Sequence, residues 1–582
     1  MKMKKALLAS AVASVLAAPM AQAINVSGEG TGEVLLYPYY NVNGSNVTFL
    51  ALTNTTNTAK VLKVRFREGV GSEDVFDFTL YLSPFDTWNA AISTSGSNIA
   101  VFTADNSCTV PTVQNNPAAV FTDQRILDGY TRTSKLARMQ EGHIEIIEMA
   151  TLSTNTVDNN ADTDFVDAAD TNNQLAAAIT HTNGVPANCA TATTFTNAAN
   201  GAIVSGLNLT LGGVSQRFNE PTGGVYGQAA VFNADNGVFL PYNATALNNF
   251  AGTPIWFPQK FNTFANFYTA GGPTPTLSGT DPNGVEEVHY ATADPDVRTG
   301  VVTTGTLFFD LPDLSTPDSI EANATTGDGV GVLGGGDPIA QVLVEGNGIT
   351  PTAVSGSFDT VDSPVAGTVP GDADGDGAPD LTRFASSDKR DAVTAALSAA
   401  QIQNDYITTS PFNTEWLVTF ATQYLHVGIR ETDLDAAAAS VDRADPPFTV
   451  EERLASGQSC EQLSGLTVYS REEGTDNPSG VGFSPGVGPD SISLCYEVNV
   501  AVINDSGTSP SRIAGSSAVR GDFPLSFADG WLNMDVSNYS ISSADGVDFF
   551  GLPAVGASFV GEGSGTQKGG AFGHRLIRSV AP

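Results

Sequence analysis

The chain predicts a mainly β fold: antiparallel β-sandwich domains of the immunoglobulin-like kind, with long Gly/Asn/Thr/Asp-rich loops and one or a few short helices. Three observations point there. Between Gly32 and Ser93, apolar and polar residues alternate with a period of two, in runs separated by turn residues. That is the mark of strands lying between a core and water. Further runs of this kind recur near both ends of the chain. Helical spacing, by contrast, is confined to one stretch.

The N-terminal runs come in order. Gly32–Val42 (GEVLLYPYYNV) is apolar and aromatic, and it stops at Asn43-Gly44, a dipeptide suited to a hairpin because both residues tolerate positive φ. Val47–Leu52 follows, with Val47, Phe49 and Ala51 on one face. Leu62, Val64 and Phe66 then face one way while Lys63, Arg65 and Arg67 face the other, which predicts a strand with a charged side in water. Phe76, Phe78, Leu80 and Leu82 alternate with Asp77, Thr79 and Tyr81, and Ser83-Pro84 ends the run. Gly142–Met149 (GHIEIIEM) predicts another strand, with His143 and Glu145 on its outward face. An imidazole and a carboxylate so placed can hold a metal, but an exposed pair without one is the plainer expectation.

GEVLLYPYY, VLKVRFREG and LYLSPFDTW, with EWLVTF (415–420) and CYEVNV (495–500), resemble a group of uncharacterised exported proteins of Gram-negative bacteria known only as cell surface proteins. The resemblance covers mainly the two ends. Its motifs are strands, and it implies no activity, cofactor or catalytic residue.

Residues 1–23 read as a secretory signal. Lys2, Lys4 and Lys5 form a basic start, Ala6–Ala17 a short apolar stretch, and Ala21-Gln22-Ala23 a small-x-small cleavage site. No later stretch holds ~18 consecutive apolar residues, so no membrane-spanning helix is expected. The chain is therefore expected to be secreted or at the cell surface, with periplasmic residence open. Its net charge is −36, and loss of the three signal lysines takes it to −39. Such acidity repels nucleic acid and anionic membrane, and suits divalent cations and a hydrated matrix. Charged residues make up only 15 % and hydrophobic ones 41 %, which excludes wholesale disorder.

The 582 residues predict several domains. The expected parts are an N-terminal β-sandwich (24–150), a loop-rich β region (151–300), a Gly/Asp-rich segment with one short helix (301–410) and a C-terminal β domain (411–582). In the second part, Asp162, Asp164, Asp167 and Asp170 read as a solvated acidic loop, and Ala229–Leu240 returns to apolar character. Trp256, Phe257, Phe261, Phe264, Phe267 and Tyr268 are dense enough to line a carbohydrate-binding surface, although core is the usual place for such rings. In the third part, Thr306–Leu311 predicts a strand and Asp388–Asn404 a helix, with Val393, Ala396, Leu397 and Ala400 on one face, Asp388 as cap and Pro411 beyond its end. In the fourth, Trp416, Val418 and Phe420 alternate with Leu417, Thr419 and Ala421, and Leu494–Ile503, Trp531–Val536 and Leu552–Val560 predict strands. Whether the two β-rich ends form one body or two stays open.

Four cysteines, Cys108, Cys189, Cys460 and Cys495, read as two disulfides in an exported chain. Three pairings are open. Cys108–Cys189 with Cys460–Cys495 is the expected set, because each bridge stays within one half of the chain. In the chain-entropy account each contributes roughly 4 kcal/mol.

The strongest chemical motif is Gly371–Asp380 (GDADGDGAPD). Asp372, Asp374, Asp376 and Asp380 supply the alternating hard oxygens that calcium requires, and Gly377 allows the sharp turn. The loop resembles those of thrombospondin type 3 and dockerin repeats. It departs from the EF-hand, having Arg383 where the bidentate glutamate would stand. An acidic, glycine-rich linker is the alternative. Two further matches fail on context. Gly482–Gly486 has the G-x-S-x-G form around Ser484, but Pro485 lacks the N–H an oxyanion hole needs. Gly329–Gly334 has the G-x-G-x-x-G form but runs into Gly335-Gly336-Asp337-Pro338 rather than a helix.

The expected function is that of a secreted, non-catalytic surface or matrix protein acting by adhesion or assembly, stiffened by calcium. Its partners would be copies of itself, or surface glycans or proteins. A carbohydrate-binding protein using the 256–268 aromatics is the alternative, and an extracellular hydrolase the second.

Overall fold

The computed structural model describes residues 24–72, 74–122, 135–154, 173–198, 208–233, 237–252, 389–426, 446–449, 461–476, 496–503, 513–516, 525–542, 547–562 and 569–581, with short strands and single residues between them. The signal segment, the 256–268 aromatics, Asp162–Asp170, the calcium motif, the glycine motifs at 329–334 and 482–486, Cys460 and Cys495 lie outside the described residues.

The protein is mainly β, with several antiparallel sheets and a few short helices. A nine-stranded central sheet carries the order Asn25–Val26, Thr245–Asn248, Val34–Asn41, Glu141–Leu152, Ala59–Glu68, Asp74–Leu82, Cys108–Val110, with Asn208–Leu211 and Val214–Asn219 attached beside Glu141–Leu152. A five-stranded outer sheet runs Val238–Asn243, Val225–Asn233, Asn46–Asn54, Thr87–Ser95, Asn98–Phe102. The two enclose one apolar layer. Leu35, Leu62, Val64, Phe66, Phe78, Leu80 and Ile146 of the central sheet meet Leu50, Leu52, Trp88, Ile92, Val231 and Leu240 of the outer one. The strand orders do not single out the immunoglobulin arrangement.

Asn43-Gly44 does not close the expected hairpin. Gly44 does take φ +60°, but the strands on either side belong to facing sheets, so the turn carries the chain across the layer. The outer sheet's long hairpin is instead Val225–Asn233 with Val238–Asn243.

The back of the central sheet is covered too. Helices Gln174–Ile179, Cys189–Ala198 and Lys389–Leu397 bring Leu175, Ile179, Phe195, Val393 and Leu397 against Val34, Leu36, Val61, Ile147 and Leu152. Cys108–Cys189 is bonded, with Cα atoms 5.2 Å apart, and pins one of these helices to the sheet edge. The helix expected over Asp388–Asn404 ends at Leu397. Beyond it the chain leaves as strands Ser398–Ala399 and Gln401–Ile407, drawn into ladders with Leu552–Glu562 and Asp529–Asp535. Tertiary pairing overrides a helical pattern whose only stop, Pro411, lies well beyond Leu397.

In the C-terminal part, Phe412–Phe420 pairs with Val498–Ile503 and with Leu552–Glu562. The predicted run Leu494–Ile503 is interrupted at Tyr496–Glu497, where the Asn499 side chain takes over the backbone N–H and carbonyl of Tyr496. A second sheet, with Gln401–Ile407, Gly465–Ser470 and Asp529–Asp535, encloses Tyr406, Trp416, Val418, Phe420, Val468, Leu532 and Met534. The two β-rich ends share core. Leu417, Val498, Val500 and Phe559 join the N-terminal apolar layer, Tyr39 and Phe559 rings lie 6.3 Å apart, and Thr419 donates to Pro38 O at 2.7 Å. Glu461 and Leu494, the chain neighbours of Cys460 and Cys495, are antiparallel partners.

Candidate functional site

The charged side expected to face water is inside. Lys63, Arg65, Arg67, His143 and Glu145 are buried. The covering elements that the sequence alone does not reveal seal this side of Ala59–Glu68, and its charges are matched from both neighbouring strands. Arg67 Nε lies 2.8 Å from Glu145 Oε2, Arg65 Nε 3.0 Å from Asp74 Oδ2, and Lys63 Nζ 2.5 Å from Asp77 Oδ1. The Tyr424 ring sits 3.9 Å from the Arg67 guanidinium. Two more buried pairs, Lys60–Glu148 and Glu68–Arg138, stand at the ends of the same strand. Burial alone would raise the Glu145 carboxyl, but Arg67, with His143 and Arg65 behind it, holds it down at about 2. His143 and Glu145 are thus no exposed metal pair: they belong to an internal ion layer. Among the described residues no group of three or more His, Cys, Asp or Glu is placed to hold a metal.

Ser83, His181 and Asp86 bring the residue types of a hydrolytic triad together near the disulfide. Ser83 Oγ is 2.9 Å and Asp86 Oδ2 3.3 Å from the same atom, His181 Nδ1. A relay needs the nucleophile on one ring nitrogen and the carboxylate on the other. With both on Nδ1, the cluster is a polar clamp holding the 83–86 turn to the 181–186 hairpin.

The outer face of the outer sheet is the opposite of the ion layer. None of its five strands contains a charged residue, in a chain that is 15 % charged. Charges begin only near the strand ends, at Asp86, Asp105 and Asp235. Strand register lays the side chains out in rows across the sheet. One row is Pro241, Ala230, Phe49, Ala91, Phe102. The row on one side is Phe239, Phe232, Val47. The row on the other is Asn243, Gln228, Ala51, Asn89. Phe49, Phe102 and Phe239 are 45 %, 46 % and 49 % exposed, and the Phe49 and Phe232 rings lie 5.9 Å apart. Gln228 Nε2 donates to Asn243 Oδ1 at 3.3 Å within the amide row. A stripe of rings therefore runs beside a stripe of amides.

Both edges of this sheet are engaged. At Asn98–Phe102, Val101 N donates to Ala119 O (3.0 Å) and Phe121 N to Ile99 O (2.8 Å). Beside Val238–Asn243 passes Gly569–Gly573, so close that a β-carbon at Gly569 would meet Leu240 Cδ2 at 2.8 Å. Edges occupied in this way resist strand addition, and the face is what remains on offer.

The sequence missed this surface. Val47, Phe49 and Ala51 alternate with Thr48, Leu50 and Leu52, so both sides of the strand read as apolar and periodicity cannot say which is inside. The usable signal was the absence of charge over strand after strand.

No protein family matches the chain. No curated protein and no solved structure is significantly similar to it. Among the described residues, no helix is long and apolar enough to cross a membrane.

Proposed function

We propose that the protein is an exported, non-catalytic cell-surface or matrix protein of a Gram-negative bacterium, a rigid β-sandwich scaffold that presents the outer sheet's face to a partner. The observation that carries this reading is the uncharged, ring-bearing face on a chain of net charge −36. Exposed apolar patches of this kind mark interaction sites, and a face kept free of charge in so acidic a chain is where a partner meets no repulsion. The basic start and small-x-small site at 1–23, and the resemblance of the strand motifs to exported surface proteins, support the location.

The location is tested on intact cells. Added protease and a membrane-impermeant amine label reach the protein before lysis if it is at the surface. Protection until the outer membrane is opened overturns the surface assignment in favour of the periplasm.

We also assign calcium to Asp372, Asp374, Asp376 and Asp380, stiffening the glycine-rich segment. Millimolar calcium should raise the melting temperature of the wild type and leave Asp374→Ala/Asp376→Ala unmoved. A wild type indifferent to calcium removes the ion from the account.

A further inference from the structure

From the layout of the outer sheet, and resting on the reading of that sheet as the working face, we propose that its ligand is a neutral polysaccharide, an extended chain lying across the strands. The two faces of a sugar ring differ from its rim: C–H groups stack on aromatic rings, while hydroxyls point outward and require hydrogen-bond partners. The surface has both in parallel. Phe239, Phe49 and Phe102 stand on the first, third and fifth strands of the sheet, roughly 10 Å apart in the pairing direction at ~4.8 Å per strand. That step is about the length of a disaccharide. The amide row of Asn243, Gln228 and Asn89 runs alongside, two residues or about 7 Å from the row of Phe49 and Phe102, while Phe239 stands one row further out on the other side. A glycan resting on the rings would turn its hydroxyls to those amides.

Other occupants fit less well. A phosphorylated or carboxylated polymer finds no cation on these strands and a net charge of −36 around them. An anionic membrane meets the same objection, because interfacial binding draws on basic residues beside the apolar ones. A second copy of the chain would bring the same strongly acidic surroundings, net charge −36, against itself. An open sheet face offers a long chain contact across several strands, whereas a single sugar is bound in a concave site.

The test is affinity electrophoresis of the mature protein in native gels containing soluble neutral polysaccharides (a β-glucan, a xyloglucan, a mannan, dextran), with alginate as the anionic control. Sedimentation velocity on the same samples reports self-association. At least one neutral gel should retard the wild type, equally at low and at high salt. Phe49→Ser should weaken retardation roughly tenfold, Phe49→Ser/Phe102→Ser should abolish it, and Phe49→Tyr, which keeps the ring, should preserve it. Unchanged melting temperatures establish that the variants are folded.

Three results overturn the proposal: no retardation in any neutral gel, retardation that survives loss of both rings, or a dimer that disappears with those rings. In the last case the face is an interface between copies. Protein reached by label on intact cells but not retarded leaves the surface reading standing and removes only the glycan. Protected protein that is retarded does the reverse.

Discussion

The central and outer sheets distribute charge in opposite ways. The central sheet hides Lys63, Arg65, Arg67 and Glu145 between layers, and the outer sheet, without one charged residue, exposes Phe49, Phe102 and Phe239. Burying ions is costly unless each finds its partner, so the central layer matches cations on one strand with carboxylates on the strands beside it. Exposing rings costs solubility, and the acidic remainder of the chain offsets that. The lesson is that charge placement follows what covers a sheet. The central sheet is covered on both sides, by the outer sheet on one and by helices and the Gln423–Leu425 turn on the other. Among the described residues, the outer sheet is covered on one side only.

The largest effect should come from breaking the central layer. Arg67→Ala leaves Glu145 buried without its closest cation and removes the packing on Tyr424, and should cost about 3–5 kcal/mol in urea unfolding. Arg67→Met with Glu145→Leu should recover most of it, because an apolar pair needs no partner. Acid sharpens the test. Glu145 in the fold sits at about 2, below its ordinary value of 4.5. Its contribution is therefore complete above pH 4.5 and is lost as pH falls towards 2. The gap between wild type and Arg67→Ala should narrow over that window. A loss below about 1 kcal/mol at neutral pH would mean that water reaches the layer, as it does at surface pairs.

Glu33, at the rim of the same sheet, should give a smaller effect of opposite sign. Burial, with Glu148 nearby, pushes its carboxyl up to about 8, although the N–H groups of Ala251 and Phe250 work against the rise. A carboxyl raised in the fold contributes fully below pH 4.5 and is lost as pH rises through 8. Glu33→Gln keeps an oxygen for both N–H groups and has no proton to lose. It should match the wild type at pH 4 and exceed it by about 2 kcal/mol at pH 9, a figure that allows for the side chain's partial exposure. Equal stability at both pH values would place Glu33 in water.

Sequence periodicity found the strands but not their surroundings. It put Lys63, Arg65 and Arg67 on one face correctly, since alternation is local. That the face is buried depends on Tyr424 and on helices hundreds of residues away, which no local pattern encodes. Gly44 was legible as a turn, but not as a crossing between sheets, because both outcomes use the same positive φ. The Cys108–Cys189 pairing was legible from its placement within one half of the chain. The ring-bearing face was not, because Phe49 and Leu50 are equally apolar and only what the described fold packs on each side tells them apart.

That last pair yields the smallest predicted effect on stability and the cleanest contrast. Phe49 and Leu50 are adjacent on one strand, one 45 % exposed and the other 2 %. Leu50→Ala opens a cavity in the layer between the sheets and should lose at least about 2 kcal/mol. Phe49→Ser removes a larger side chain, but one already 45 % exposed and resting on Phe232 rather than inside the layer. It should change the unfolding free energy by no more than about 1 kcal/mol, even as retention on neutral polysaccharide falls. A fold that needed the Phe49 ring would lose stability and retention together. Loss of retention alone would assign the ring to recognition, because the fold does not depend on it.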